Sequence, residues 1–185
     1  MPEPLAEATL DNEQRRLLAA IVDGPRGSFL ADERSPDGWA LPGPFGPMLL
    51  APGVGDPLQA LGAALRYAGR LDDATRELAI VATAAACGSR YELDHHFPLA
   101  RAAGVPDSVL DAVVDGTEAE LLGEIGDVGA AVVQACRELV ATGRVEPGRV
   151  STLEAGLGRA EAFELLVLAG YYRLLAAVIA AYGTG

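Results

Sequence analysis

No lysine occurs anywhere in the 185 residues, and all 14 basic side chains are arginines. Amine catalysis and any lysine-linked pyridoxal cofactor are excluded by that absence alone. Cysteine is nearly as scarce: Cys87 and Cys136 stand far apart without a CxxC spacing, so two free thiols are expected rather than a bridge or a dithiol centre. Basic charge is short as well. Against 26 acidic residues the net charge is −12, and the arginines do not cluster. Nucleic acid is therefore not an expected partner, because phosphate binding needs a basic face.

No long uncharged apolar run is present either. The most apolar stretch, LLVLAGYYRLLAAVIAAY (165–182), is interrupted by Arg173 and preceded by Glu161 and Glu164. It reads as a buried or interface helix, since a membrane span needs roughly 20 mostly uncharged residues. The opening MPEPLAEAT carries two glutamates and no apolar run, so no secretory signal is expected. The expectation is a cytoplasmic protein that does not engage a membrane. With 50% hydrophobic residues the chain can bury a real core, and its length suits one domain over 1–185. Arginine without lysine, beside abundant alanine and glycine, is the composition of a GC-rich bacterial coding sequence.

What is present is helical punctuation. Asp11 caps a first helix, NEQRRLLAAIV, with Leu17, Leu18, Ile21 and Val22 on one stripe, and Gly24 and Pro25 end it. Residues 24–57 read as one long irregular region. Within it, 36–57 is rich in proline and glycine and holds Trp39, Leu41, Phe45 and Met48, poor residues for solvent exposure; a pocket wall is expected there. After Pro57 the pattern predicts a helix to Gly69, then one capped by Asp72 or Asp73 through Cys87. Further helices are predicted over Arg90–Ala103, Pro106–Val114, Gly126–Thr142, 148–156 and Glu161–Tyr182. No stretch alternates as a strand. The fold class is all-α with about seven or eight helices.

Both histidines lie in one place, CGSRYELDHHFPLARAAG (87–104). On a helix, Glu92 and His96 are four residues apart and share a face, and Ser89 joins that face one turn earlier. A carboxylate on one imidazole nitrogen fixes the tautomer and leaves the other nitrogen to move a proton. His95 points about 100° away. A second carboxylate, Glu77, sits in TRELAIVATAAA, an awkward place for an unpartnered charge. If the two helices pack antiparallel across Gly88 and Ser89, Glu77 falls opposite His96. Metal chemistry is not expected. "ELDH" has the Glu-x-x-His spacing of di-iron carboxylate bundles, but such sites need two of these motifs and further glutamates. HExxH and glycine-rich phosphate loops are absent.

The stretch LDDATRELAIVATAAACGSRYELDHHFPLARAAGVPDSVLDAV (71–113) resembles the signature region of the carboxymuconolactone decarboxylase family, within the alkylhydroperoxidase D-like superfamily. GPFGPMLLAPGVGDPLQALGAALRY (43–67) is similar to the segment that precedes it, and AFELLVLAGYYRLLAAVIAAY to the last helix. The resemblance implies an alkylhydroperoxidase D-like helical domain that forms homo-oligomers, often trimers or hexamers. In the peroxidase branch the motif is C-x-x-C-x-x-x-H with an upstream glutamate. By position, that glutamate matches Glu77, the two cysteines match Ser89 and Glu92, and the histidine matches His96. The redox thiols are replaced, which disfavours thiol peroxidase activity and points to a Glu/His branch. Ala74 and Leu93 stand where the family often has arginine and an aromatic, so the substrate is expected to differ from carboxymuconolactone.

The resulting expectation is a lyase that needs no cofactor and no metal. It would act on a small, acidic, unsaturated lactone or keto acid in aromatic catabolism or secondary metabolism. His96, Glu92 and Glu77 are its catalytic candidates, with His96 as proton donor, Glu92 as its orienting partner and Glu77 as a second wall or relay. Arg76, Arg66, Arg90, Ser89, Trp39, Phe45 and His95 are the substrate-binding candidates. A proton-transfer cyclase or isomerase, or a non-catalytic helical oligomer that binds a small molecule, is the alternative.

Overall fold

The computed structural model describes residues 3–30 and 39–184, without the side chains of residues 28, 29 and 118–122. The chain is all-α, 77% helical with no strand among the described residues, and eight of its helices have seven residues or more. Its internal contacts divide it into two compact units, one of residues 1–68 with 177–185 and the other of residues 69–176.

In the first unit, helix α1 (Asn12–Val22) opens on a capping box. The Asp11 carboxylate accepts the N–H groups of Glu13 and Gln14, and the Gln14 side chain accepts the Asp11 N–H, all at 2.9 Å. Leu17 and Ile21 are buried one turn apart, whereas Leu18 is half-buried and Val22 exposed, so the apolar stripe is narrower than the sequence pattern suggests. The expected irregular region of 24–57 is interrupted by the single turns α2 (Gly27–Leu30) and α3 (Phe45–Met48) and by the start of α4 (Pro52–Tyr67). Its residues 31–38, with the first three of the expected pocket loop, lie outside the described residues.

Helix α4 begins at Pro52 rather than after Pro57. Proline at the first helical position loses nothing by lacking an N–H, and Pro57 is carried inside the helix. The register is set by packing at Gly55. A Cβ there would stand 2.2 Å from the Met48 carbonyl oxygen and 2.9 Å from a Leu17 methyl, so only glycine lets α4 approach α1 and α3 this closely. Trp39 meets the Tyr182 ring edge-on at 5.9 Å. The buried Arg26 guanidinium lies over the Phe45 ring and donates to the Gln59 carbonyl at 3.0 Å.

The second unit contains α5 (Asp73–Cys87), α6 (Arg90–Ala102), α7 (Asp107–Asp115), α8 (Glu118–Thr142), α9 (Pro147–Leu157) and α10 (Arg159–Tyr182) as far as Ala176. Helix α5 is its axis. Every residue from Glu77 to Ala84 is buried, and α6, α7 and α8 pack around it. Small side chains permit that crowding: Ala79, Ala82 and Ala84 are at most 1% exposed. Helix α8 breaks at Gly126, whose φ of 64° and ψ of −177° are not helical, at the residue where the sequence pattern starts this helix. Helix α10 is long and apolar enough to cross a membrane by length and composition. Within this unit it buries Leu165, Leu168, Ala169, Tyr171 and Tyr172, and its Glu164 accepts the N–H of Arg70 at 2.6 Å.

Candidate active site

The site is built by one turn and two helices. Gly88 closes α5 in the left-handed region, φ 65° and ψ 26°. Its N–H reaches the Ala85 carbonyl at 3.0 Å, and the Ser89 N–H reaches that of Ala84 at 2.9 Å. Helix α6 starts at the next residue and packs back along α5, which sets Glu77 of α5 against His96 of α6. On α6 the buried residues are Ser89, at the cap, then Glu92, His96 and Ala100, while the positions between them are half-buried or exposed. That spacing is a single face, and the face looks into the protein.

A row of three polar side chains results. His96 Nδ1 lies 2.8 Å from Glu77 Oε2, and His96 Nε2 lies 3.5 Å from Glu92 Oε2. All three residues are 3% exposed. Arg76 Nε stands 3.7 Å from the other oxygen of Glu77. The Nδ1 contact has the length of a well-formed hydrogen bond, whereas the Nε2 contact exceeds the range of about 2.7–3.2 Å typical of one. An imidazole nitrogen meets a carboxylate favourably only through a proton. Both ring nitrogens face carboxyl groups, so a proton on either side of the ring has a carboxylate oxygen to meet.

Glu77, not Glu92, makes the short contact that fixes the ring, and Glu92 stands at the opposite nitrogen. Tyr172 of α10 closes over the ring edge-on at 5.1 Å, with Tyr171 edge-on to Tyr172 at 5.6 Å. Sequence reasoning did not single out these tyrosines; the adjacent pair in an otherwise aliphatic helix was the available signal. His95 is half-buried, lies edge-on to His96 at 5.2 Å and stacks parallel to Tyr91 at 6.3 Å.

Ser89 breaks a local rule. Ser89-Arg90-Tyr91-Glu92 has the Ser-x-x-Glu spacing of a capping box, in which serine and glutamate satisfy each other's backbone N–H groups. Here the Ser89 side chain makes no cap bond although Ser89 is the N-cap residue, and Glu92 lies beside His96 instead. The Ser89 hydroxyl is buried with no hydrogen-bond partner among the described residues. A serine cap contributes about 1 kcal/mol, and a buried unpaired polar group costs about 1–3 kcal/mol. Both effects favour a turned hydroxyl, so the observed rotamer is an expense to the ligand-free protein.

Of the two arginines expected at the site that lie in this unit, Arg76 reaches the row and Arg90 does not. Arg90 is 85% exposed and held by both oxygens of Asp94, at 2.8 and 2.9 Å, on the outer side of α6. Arg76 is bound to Asp73 at 2.6 Å and donates to the Leu71 carbonyl, so it serves as a counter-charge to Glu77. Arg66, Trp39 and Phe45 belong to the first unit. Cys87 is half-buried. Burial pushes its thiol up, Arg173 pulls it down and Glu92 adds a smaller push, with a raised net result. Among the described residues no three histidine, cysteine, aspartate or glutamate side chains are arranged to hold a metal ion.

No curated protein matches the chain. Residues 52–124, which contain α4 to α7 and the whole Glu77–His96–Glu92 row, match the model of the carboxymuconolactone decarboxylase family.

Proposed function

We propose that the protein is a cofactor-independent lyase that decarboxylates a small unsaturated lactone or keto acid, with His96 as the proton donor. The observation that carries this reading is the buried row in which a single imidazole stands between two carboxyl groups. Loss of carbon dioxide breaks one carbon–carbon bond and leaves its electron pair conjugated with the substrate's own carbonyl. The protein must then exclude water from the departing carboxylate and return one proton to carbon. His96 Nε2 supplies that proton, Glu77 holds the ring through Nδ1, and Glu92 passes a solvent proton back to Nε2 after release. Atoms balance as one carboxylate and one proton in, one C–H bond and one carbon dioxide out.

Trp39, Phe45 and Arg66 enter this reading as substrate contacts on sequence grounds alone. Self-association is part of it too: Phe163 and Leu174, 69% and 44% exposed, lie eleven residues apart on one face of α10 and suit an apolar contact between copies.

Isomerisation or cyclisation would draw on the same row, since only the fate of the carboxylate differs. A panel of unsaturated lactones and β-keto acids, assayed for released carbon dioxide and for solvent deuterium at the protonated carbon, separates the two. His96→Ala should abolish either activity while circular dichroism and assembly state stay as in wild type. Unaltered turnover in that variant, or unfolding without any activity in the parent, would overturn the reading in favour of a structural pair.

A further inference from the structure

We infer that the Ser89 hydroxyl is a substrate-binding donor, reserved for an acceptor oxygen of an acidic substrate whose reacting carbon lies at His96. Three observations converge on it. Ser89 occupies the N-cap of the thirteen-residue α6 yet declines the cap. Its hydroxyl is buried, with the residue 8% exposed, and has no partner among the described residues. It belongs to the same inward face as Glu92 and His96, which are buried with it.

The chemistry of that position selects the ligand atom. The start of a helix carries partial positive charge and favours an anionic or carbonyl oxygen. Seven residues of α6 separate Ser89 from His96, a rise of roughly 10 Å. The oxygen bound at Ser89 is therefore several bonds away from the carbon protonated at His96. It is not the carboxylate that is lost but a second one, or a remote carbonyl, that the product retains. This reading rests on the proposed lyase chemistry only for the place of the reacting carbon.

The test uses two probes with the same ring: a butenolide with a carboxymethyl side chain and the butenolide with methyl in its place. Each is titrated calorimetrically into the full-length wild type, Ser89→Ala and Ser89→Thr. Ser89→Ala should bind the acid roughly ten- to a hundredfold more weakly and the methyl compound unchanged, and Ser89→Thr should recover most of the loss. Without ligand, the thermal midpoint of Ser89→Ala should equal or exceed that of wild type, because an unpaired hydroxyl has been removed. Equal losses on both lactones, no loss on either, no binding of either by wild type, or a lower midpoint without ligand would each overturn the assignment. The two proposals fail separately. A protein that binds the acid through Ser89 yet releases no carbon dioxide from any acid keeps this inference and loses the lyase, whereas turnover with undiminished affinity in Ser89→Ala does the reverse.

Discussion

Glu77 Oε2 and His96 Nδ1 meet at 2.8 Å across two helices, with both side chains 4% exposed. A contact so buried serves orientation and stability together, and two substitutions separate them. Glu77→Gln keeps the shape and an oxygen that accepts the Nδ1 proton, but removes the charge that favours a proton on the ring. Turnover should fall about a hundredfold or more with little change in urea midpoint. Glu77→Ala also leaves a buried donor without its acceptor, which should cost a further 1–3 kcal/mol or so of stability. Full activity in Glu77→Gln would mean that the carboxylate's charge plays no part in the chemistry.

How much of this was legible beforehand depends on whether the deciding contact is local. Asp11, Asp72 and Gly88 bound their helices because caps and left-handed turns act within a few residues, and α1 and α5 begin and end close to where those residues place them. The start of α4 was not legible, since either Pro52 or Pro57 fits a first helical position and the choice lies with the backbone of Met48 pressing on Gly55. The nearness of Glu92 to His96 follows from spacing. Which carboxylate takes Nδ1 does not, because the ring's rotation is decided by a partner on another helix. Arginine is the least legible residue of all. Its long side chain reaches whichever acid is near, and here Arg76 meets Asp73 and Arg90 meets Asp94.

The acid side of the stability profile should carry the signature of Asp72. Its carboxylate caps α5, accepting the Thr75 N–H at 2.9 Å and the Thr75 hydroxyl at 2.7 Å. Partial burial pushes this carboxyl up, but the bonds from Thr75 and neighbouring backbone outweigh it and hold the group below its ordinary value. A carboxyl lowered in the folded state contributes fully above its unfolded value, about 3.9, and loses that contribution as pH falls through the folded value. Asp72→Ala should therefore be less stable than wild type by about 1 kcal/mol at pH 7, and the gap should narrow below about pH 4. Urea unfolding at the two pH values measures it. A gap that stays constant or widens in acid would mean the cap bond is absent in solution.

The two thiols should prove inert to the chemistry, each for a stated reason. Cys136 is fully buried, and burial pushes its thiol up to about 11 against a smaller opposing effect of the hydrogen bond with Thr83. Cys87 is reachable, but its thiol is raised too. The thiolate is the nucleophile, so neither residue presents much of it near neutrality. A chromogenic disulfide reagent at pH 7.5 should modify Cys87 more slowly than a small free thiol, and Cys136 only after denaturation. Cys87→Ser should keep the parent's rate of carbon dioxide release, because the serine oxygen fills the place of a sulfur that touches no step of the proposed proton transfer. Peroxide reduction by the parent that vanishes in Cys87→Ser would reverse the argument. It would make the thiol the reactive group and leave the histidine row to tune it, through the same Glu92 that now stands between His96 and Cys87 in the electrostatics of the site.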